Sequence, residues 1–329
     1  MTAQKRIAIA LGDPNGIGPE IAVKAAAHFA GGRLRPVLVG DAYIIQEYAR
    51  RHAPGLPVIT LEQDEPGTPA IVCVNVDALS KPDFNPGRVQ AEAGRATIAY
   101  VARAVQMAQS GQVSAVIGCP HSETAINGAG ISFSGYPGLI AQLTHTPQEK
   151  VFLMLVAAGL HIAHVTLHES VRNALQRLTP DLVVEATLAA VAAERRLGNA
   201  QPKVAVFGVN PHAGENGLFG DDDDRIGAPA VKRLKDAGLD VEGPVGADLL
   251  LGQRKHDVYI AMFHDQGHIP VKLLSPLRAS ALTIGTPILF SSVGHGSAFD
   301  IAGKGIANPV SVMETLSLLD RVQPVTELP

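Results

Sequence analysis

Short apolar runs recur along the chain, and each ends in glycine, proline, asparagine or histidine before a helix-like segment. Residues 7–11 run into Gly12-Asp13-Pro14-Asn15-Gly16-Ile17-Gly18-Pro19-Glu20, and residues 21–29 then predict a helix. Residues 37–39 precede Gly40-Asp41, and residues 115–117 precede Gly118-Cys119-Pro120-His121. Runs 161–166, 204–207 and 258–262 lead into Leu167-His168-Glu169-Ser170, Gly208-Val209-Asn210-Pro211-His212 and Phe263-His264-Asp265-Gln266-Gly267. Strands alternating with helices predict an α/β fold with a mainly parallel sheet under helical cover. Ligands in such sheets gather beyond the carboxyl ends of the strands, and the polar clusters fall there.

No repeat or low-complexity linker marks a boundary, but 329 residues suffice for two domains. The most apolar long stretch, 151–167, carries His161 and His164 and falls short of a membrane span. The apolar run near the start is too short for a signal peptide. A soluble, cytoplasmic protein is the expectation. The one charge block, Asp221 to Asp224, reads as a solvated loop capping the following helix, with a second metal site as the alternative.

Composition narrows the classes. Hydrophobic residues make up 46% and charged residues 18%, which suits a buried globular core rather than disorder. Aromatics are only 4%, so the core rests on Ala, Val, Leu and Ile. A net charge of −4 gives no basic footprint for nucleic acid, and no polybasic stretch suits an anionic membrane. Two cysteines, Cys73 and Cys119, make neither a disulfide framework nor a zinc ribbon.

His168, His212 and His264 each follow a predicted strand. Imidazole is a common metal ligand near neutral pH, and three such ligands leave positions open for water or substrate. Each histidine taken alone is equally an ordinary hydrogen-bonded loop residue. His164 and His268 are rival ligands. His164 shares a strand face with His168, so lining the core is its other reading. His268 lies four residues past His264, but Gly267 and Pro270 argue against one shared helical face. Such a site alone would serve a hydrolase as well as a dehydrogenase.

The tail Gly294-His295-Gly296-Ser297-Ala298-Phe299-Asp300-Ile301-Ala302-Gly303-Lys304-Gly305-Ile306-Ala307-Asn308-Pro309 resembles the adenine-side NAD loop of isocitrate and isopropylmalate dehydrogenases. The opening Gly16-Ile17-Gly18-Pro19-Glu20-Ile21 resembles the first turn of the same superfamily. Its glycines let backbone N–H groups approach a ligand closely. No G-x-G-x-x-G follows the first strand, so a Rossmann site is not indicated. Asn210-Pro211-His212-Ala213-Gly214-Glu215, His264-Asp265-Gln266-Gly267 and Lys272 resemble the 4-hydroxythreonine-4-phosphate dehydrogenase family, essentially end to end.

That resemblance implies two α/β domains, 1–128 with 297–329 and 129–296, and an active-site cleft between them. The second would carry most metal and dimer contacts. It implies a homodimer whose divalent ion is held by His168, His212 and His264 drawn from both subunits. It also implies NAD bound by Gly214, Glu215, Gly294, His295, Gly296, Ser297 and Asp300, and a substrate contact at Lys272. Zinc, iron(II), cobalt, nickel and magnesium or manganese all stay open as the ion, and NAD rather than NADP rests on the resemblance.

Several of the family's substrate contacts are missing. A Gly-His-Thr segment becomes Gly135-Tyr136-Pro137, a lysine falls on Glu123, an asparagine on Ala281 and an arginine on Phe290. A desolvated phosphate dianion would lack its charge-assisted bonds there. The segments 119–126, 133–137, 165–172 and 264–270 resemble instead the terephthalate dihydrodiol dehydrogenase branch of the family. That implies 1,2-dihydroxy-3,5-cyclohexadiene-1,4-dicarboxylate as substrate and protocatechuate, carbon dioxide and NADH as products. Lys272 is the candidate for orienting the leaving carboxylate or relaying protons, with Asp265 the alternative relay. Glu123, Tyr136, Arg172, Ala281 and Phe290 are candidate pocket residues, and Arg172 is equally a surface helix residue. The vitamin-B6 enzyme itself, a related diol-acid dehydrogenase, a three-histidine hydrolase and a silent binding module are the rival readings.

Overall fold

The computed structural model describes residues 4–276 and 278–322. Strands β1 (Lys5–Ala10), β2 (Leu34–Gly40), β3 (Val58–Thr60), β4 (Ile71–Asn75), β5 (Ala115–Gly118), β6 (Phe152–Ala157), β7 (Leu160–His164), β8 (Val204–Phe207), β9 (Val241–Val245), β10 (Val258–Ala261), β11 (Ser280–Ile284) and β12 (Phe290–Val293) alternate with helices along most of the chain. The chain forms two compact units, residues 4–145 with 287–322, and residues 146–286. The divisions fall at 145/146 and 286/287, not at the expected 128/129 and 296/297. The physical reason is local: Tyr136 binds the Cys119 carbonyl, and β12 pairs with β5, so both segments stay with the first unit.

In the first unit the strands lie in the order β3-β4-β2-β1-β5-β12, every pair parallel. Strands β1, β2 and β5 are covered on both faces, with Ile7, Ile9, Val37, Leu38, Val116 and Ile117 fully buried. Double burial is why these strands read as continuous apolar runs rather than as an alternation. In the second unit the order is β11-β6-β7-β10-β8-β9. Here β6 is antiparallel to both neighbours, while β7, β10, β8 and β9 are parallel. The apolar stretch 151–167 is therefore mostly a β6–β7 hairpin, turning through Ala158 (φ 52°) and Gly159 (φ 75°). Left-handed residues at both turn positions match the twist of the flanking strands. Among the described residues no helix is long and apolar enough to cross a membrane.

Under the edge of the first unit, Asp64 has no exposed side-chain surface and receives two guanidinium groups. Arg35, itself buried, donates from Nε at 2.8 Å, and Arg6 from Nη2 at 3.0 Å. The triad ties the segment after β3 to β1 and β2. Removing one partner of a buried pair leaves an uncompensated charge, a loss of about 3–5 kcal/mol. Asp64→Ala is therefore expected to lower the unfolding free energy by that amount, read as a shift in the urea midpoint at unchanged slope.

Candidate functional site

In the first unit the polar clusters after β1, β5 and β12 meet. The Ile17 N–H donates to the Ser297 carbonyl at 3.0 Å, and the Asp13 N–H to the Pro120 carbonyl at 2.9 Å. The helix Gly18–His28 begins three residues earlier than the pattern predicts, with Pro19 in its first turn, where its missing N–H costs nothing. Its Glu20 is fully buried and accepts from the backbone N–H of Ala307 at 2.8 Å and Gly305 at 3.2 Å. Lys24, one turn on, binds Glu20 at 2.7 Å and donates to the carbonyls of Gly305 and Ala307. The far end of the glycine-rich tail is thus pinned by one ion pair.

The near end of that tail lines a cavity of about 270 Å³ with the turn after β5. His121, Glu123, Tyr136, Ser292, His295 and Gly296 contribute to its wall, and no lysine or arginine is among the described residues lining it. Glu123 opens the short helix Glu123–Gly128, capped by the Ser122 hydroxyl, which accepts from the Ala125 N–H at 3.1 Å. Tyr136 is buried and donates its hydroxyl to the Cys119 carbonyl at 2.6 Å, so it offers the cavity a ring rather than a proton. His121 packs edge-on against Tyr136 at 4.4 Å and Phe133 at 4.9 Å, and burial pulls its pKa down to about 4. Phe290 is fully buried behind Tyr136 at 4.9 Å and is a core residue. A Cβ at Gly118 would lie 2.6 Å from the Phe290 ring, so this packing requires glycine there.

Asp13 stands behind this wall. It is fully buried; its Oδ1 accepts the Asn15 N–H at 2.9 Å, and its Oδ2 has no partner. Burial raises its pKa to about 6, against the pull of the Asn15 and Gly16 N–H groups. Sequence reading passed over Asp13 and His121, because nothing in their spacing distinguishes a buried polar residue from a turn former. Of the expected nucleotide residues, Ser297 is buried with its hydroxyl unpartnered, and Asp300 is exposed.

In the second unit β7 and β10 bring four histidines together. Ring centroids of His168 and His264 are 5.7 Å apart, and His264 stacks on His268 at 3.7 Å with 11° between planes. His264 and His268 do share one helical face: the helix His264–Leu274 runs through both Gly267 and Pro270. The helix holds because Gln266 caps it, accepting the N–H of Met262 and Phe263 and donating to the Gly208 carbonyl at 2.9 Å. Gly267 permits the close approach, since a Cβ there would fall 2.3 Å from His164 Nε2. His164 is buried between the Leu153 carbonyl and His268 Nδ1, which lies 3.1 Å from its Nε2. Burial, with neighbouring imidazoles adding to it, lowers the pKa of His164 to about 3 and of His268 to about 4. Both are neutral at physiological pH. His264 Nδ1 faces Asp265 Oδ1 at 2.8 Å; a proton on Nδ1, donated to that carboxylate, leaves the lone pair on Nε2.

His212 is not brought into this cluster within one chain. Its ring packs against Phe219 at 5.9 Å, and among the described residues no three His, Cys, Asp or Glu side chains form a group able to hold a metal ion. His212 opens a left-handed stretch through Ala213, Gly214, Glu215, Asn216 and Gly217. Such a run strains each non-glycine residue by roughly 1–2 kcal/mol and needs external support. Asp223 helps supply it. Within the charge block Asp221 and Asp224 are exposed at the start of the following helix, as expected, but Asp223 is buried and accepts the N–H of Val209 at 2.7 Å and Asn210 at 2.9 Å. Lys272 and Arg172 are exposed, and Ala281 packs beside the core of Leu155, Ile162, Phe207 and Tyr259.

Two α/β units, one presenting a glycine-rich tail and the other a histidine cluster, define the class of protein. The pattern of pyridoxal phosphate biosynthetic protein PdxA matches residues 33–319, and the chain belongs to that family. It is 50% identical over 315 residues to a 1,2-dihydroxy-3,5-cyclohexadiene-1,4-dicarboxylate dehydrogenase from Comamonas sp, covering 96% of this chain and 97% of the relative. It is 49% identical to a terephthalate 1,2-cis-dihydrodiol dehydrogenase structure from Burkholderia xenovorans LB400, with TM-score 0.77 and coverage of 97% and 99%. A 4-hydroxythreonine-4-phosphate dehydrogenase structure from Klebsiella pneumoniae is 36% identical at TM-score 0.86, over 96% and 98% of the two chains.

The raised pKa of Asp13 has a signed consequence for stability. Between its ordinary 3.8 and about 6 the folded chain holds a proton that the unfolded chain has lost. Stability therefore falls as pH rises through that window, by up to roughly 3 kcal/mol. Asp13→Asn is expected to flatten this slope, measured by urea unfolding at several pH values between 4 and 7; an unchanged slope would exclude Asp13 as its source.

Proposed function

We propose that this chain is a cytoplasmic, NAD-dependent and metal-dependent dehydrogenase that oxidises 1,2-dihydroxy-3,5-cyclohexadiene-1,4-dicarboxylate and releases carbon dioxide to give protocatechuate. One observation carries the choice of a ring acid over a phosphate ester. The cavity that joins Glu123 and Tyr136 to His295 and Gly296 has no lysine or arginine among its described lining residues. Neither a phosphate nor a carboxylate finds a cationic partner in that wall, but its His121 and Tyr136 rings offer a ring substrate an aromatic face, which a phosphoryl group cannot use. The name of the 50% identical Comamonas relative supports the same reading.

Imidazole donors suit zinc, iron(II), cobalt or nickel. We assign the ion to His168, His212 and His264 drawn from two copies of the chain, as the family resemblance implies; among the described residues of one copy no three such donors form a metal-holding group. Exposed Val171, Leu175, Ile269, Leu273 and Leu274 support a homodimer, since they lie on helices that also border the histidines. When bound, the ion polarises the substrate hydroxyl and the adjacent carboxylate, and nicotinamide accepts the hydride. Asp265 holds His264 in the tautomer that leaves Nε2 free. Lys272, on the same helix, orients the leaving carboxylate or relays the proton, with Asp265 as alternative relay. Gly294, His295, Gly296, Ser297 and Asp300, with Gly214 and Glu215, bind NAD. Loss of carbon dioxide creates an aromatic ring, which makes that step strongly downhill.

A second reading, oxidation of 4-phosphohydroxy-L-threonine, is favoured by the family match itself. Steady-state NADH formation separates the two. The diol acid is expected to yield NADH, with activity lost on chelation and restored by a divalent ion, and His212→Ala is expected to cost roughly 100-fold or more. Equal kcat/KM for the phosphorylated compound would overturn the substrate, and full turnover after chelation would overturn the metal.

A further inference from the structure

One side chain of the second unit holds both segments that carry candidate ligands. Gln266, in the first turn of the helix His264–Leu274, accepts the N–H groups of Met262 at 2.8 Å and Phe263 at 3.1 Å, and so fixes the turn that presents His264. Its amide nitrogen reaches the other way and donates to the Gly208 carbonyl at 2.9 Å. Gly208 follows β8 and opens the loop that carries His212. A Cβ at Gly208 would lie 3.0 Å from Ala213 Cα, so the backbone beside His212 rests directly on Gly208. The next two N–H groups, of Val209 and Asn210, are held by Asp223. A displacement of the His264 turn therefore reaches His212 through one hydrogen bond and one close backbone contact.

Within one chain His168 and His264 stand together, with ring centroids 5.7 Å apart, whereas His212 packs on Phe219 and does not join them. Where two copies share each ion, a chain thus gives His168 and His264 to one ion and His212 to the other. Gln266 then bridges two ion sites rather than two parts of one. The backbone sets the direction of the coupling. His212, Ala213, Glu215 and Asn216 hold left-handed φ values between 43° and 56°, a conformation that L residues keep only under outside support. An ion that fixes one end of the Gln266–Gly208 connection orders part of the other end. The second ion then binds a chain that has less ordering left to do.

Resting on the reading that two copies of the chain share a divalent ion, we propose that Gln266 is a positioning residue for His264 and His212 at once, and that through Gly208 it couples the two ion sites of the dimer, so that filling one favours filling the other. Its hydrogen bonds go to backbone groups, so it acts through the ligand-bearing segments and not on the ion. Half-loaded dimer is thereby made scarcer at intermediate ion concentration.

The test is a cobalt(II) titration of the chelator-treated full chain, with its dimeric state checked by sedimentation. Binding is read by the visible absorption of the coordinated ion and by equilibrium dialysis. Gln266→Glu keeps an oxygen to accept from Met262 and Phe263 but has no N–H to donate, so it cuts the link to Gly208 and preserves the cap. Gln266→Met cuts both without adding charge. The wild type is expected to bind one ion per chain with a Hill coefficient of about 1.4–1.5, which corresponds to roughly five- to tenfold coupling between two sites, and both variants to fall to about 1.0. A non-cooperative wild-type isotherm at one ion per chain, or variants that keep the wild-type coefficient, overturns the coupling and leaves the shared ion in place. A monomeric chain, no binding, or binding indifferent to His212→Ala sinks the shared ion and the coupling with it.

Discussion

One buried carboxylate holds the first unit's glycine-rich tail in shape. Glu20 has no contact with solvent, and a charge so placed must find donors or forfeit its hydration. It finds them in Lys24 and in the N–H groups of Gly305 and Ala307, while Lys24 returns to the carbonyls of the same two residues. The result joins the first helix of the chain to a loop almost three hundred positions later (~280). A glycine-rich loop has high conformational freedom when unheld. With its far end fixed by Glu20 and its near end by the Ile17–Ser297 bond, it keeps a defined cavity wall.

The second unit solves a different problem, that of holding several imidazoles together without their all becoming charged. Burial keeps His164 and His268 neutral, and Gly267 lets the helix come close enough for the two rings to bond. They serve as the inner support of His264, whose outer nitrogen is freed by Asp265. On the other side, Asp223 steadies the strained loop that carries His212. Of the candidate ligands, His264 thus has a carboxylate beside its ring, and the loop that carries His212 has one holding its backbone, the kind of support that functional metal ligands use.

The two units differ in the charge they present. The cavity of the first has aromatic rings, one carboxylate at Glu123 and no lysine or arginine among its described lining residues. The second carries the neutral imidazoles, and a divalent ion bound there would supply the positive field that a dicarboxylate needs.

The parallel α/β architecture was legible in the sequence because doubly buried strands leave continuous apolar runs that turn formers punctuate, as at 7–11, 115–117 and 204–207. The glycine-rich tail and the three histidines after strands were legible for the same reason: their chemistry is carried by residue type and local order. What the sequence left undecided depended on contacts between distant residues. Helix continuity through Gly267 and Pro270 was decided by the Gln266 cap and by His164 across from it. The burial of Asp223 was decided by the loop it binds, and that of Asp13 by the turn after β5. Periodicity reports which face of an element is apolar; it carries no information on which buried carboxylate finds a donor, because that donor is supplied by another part of the fold.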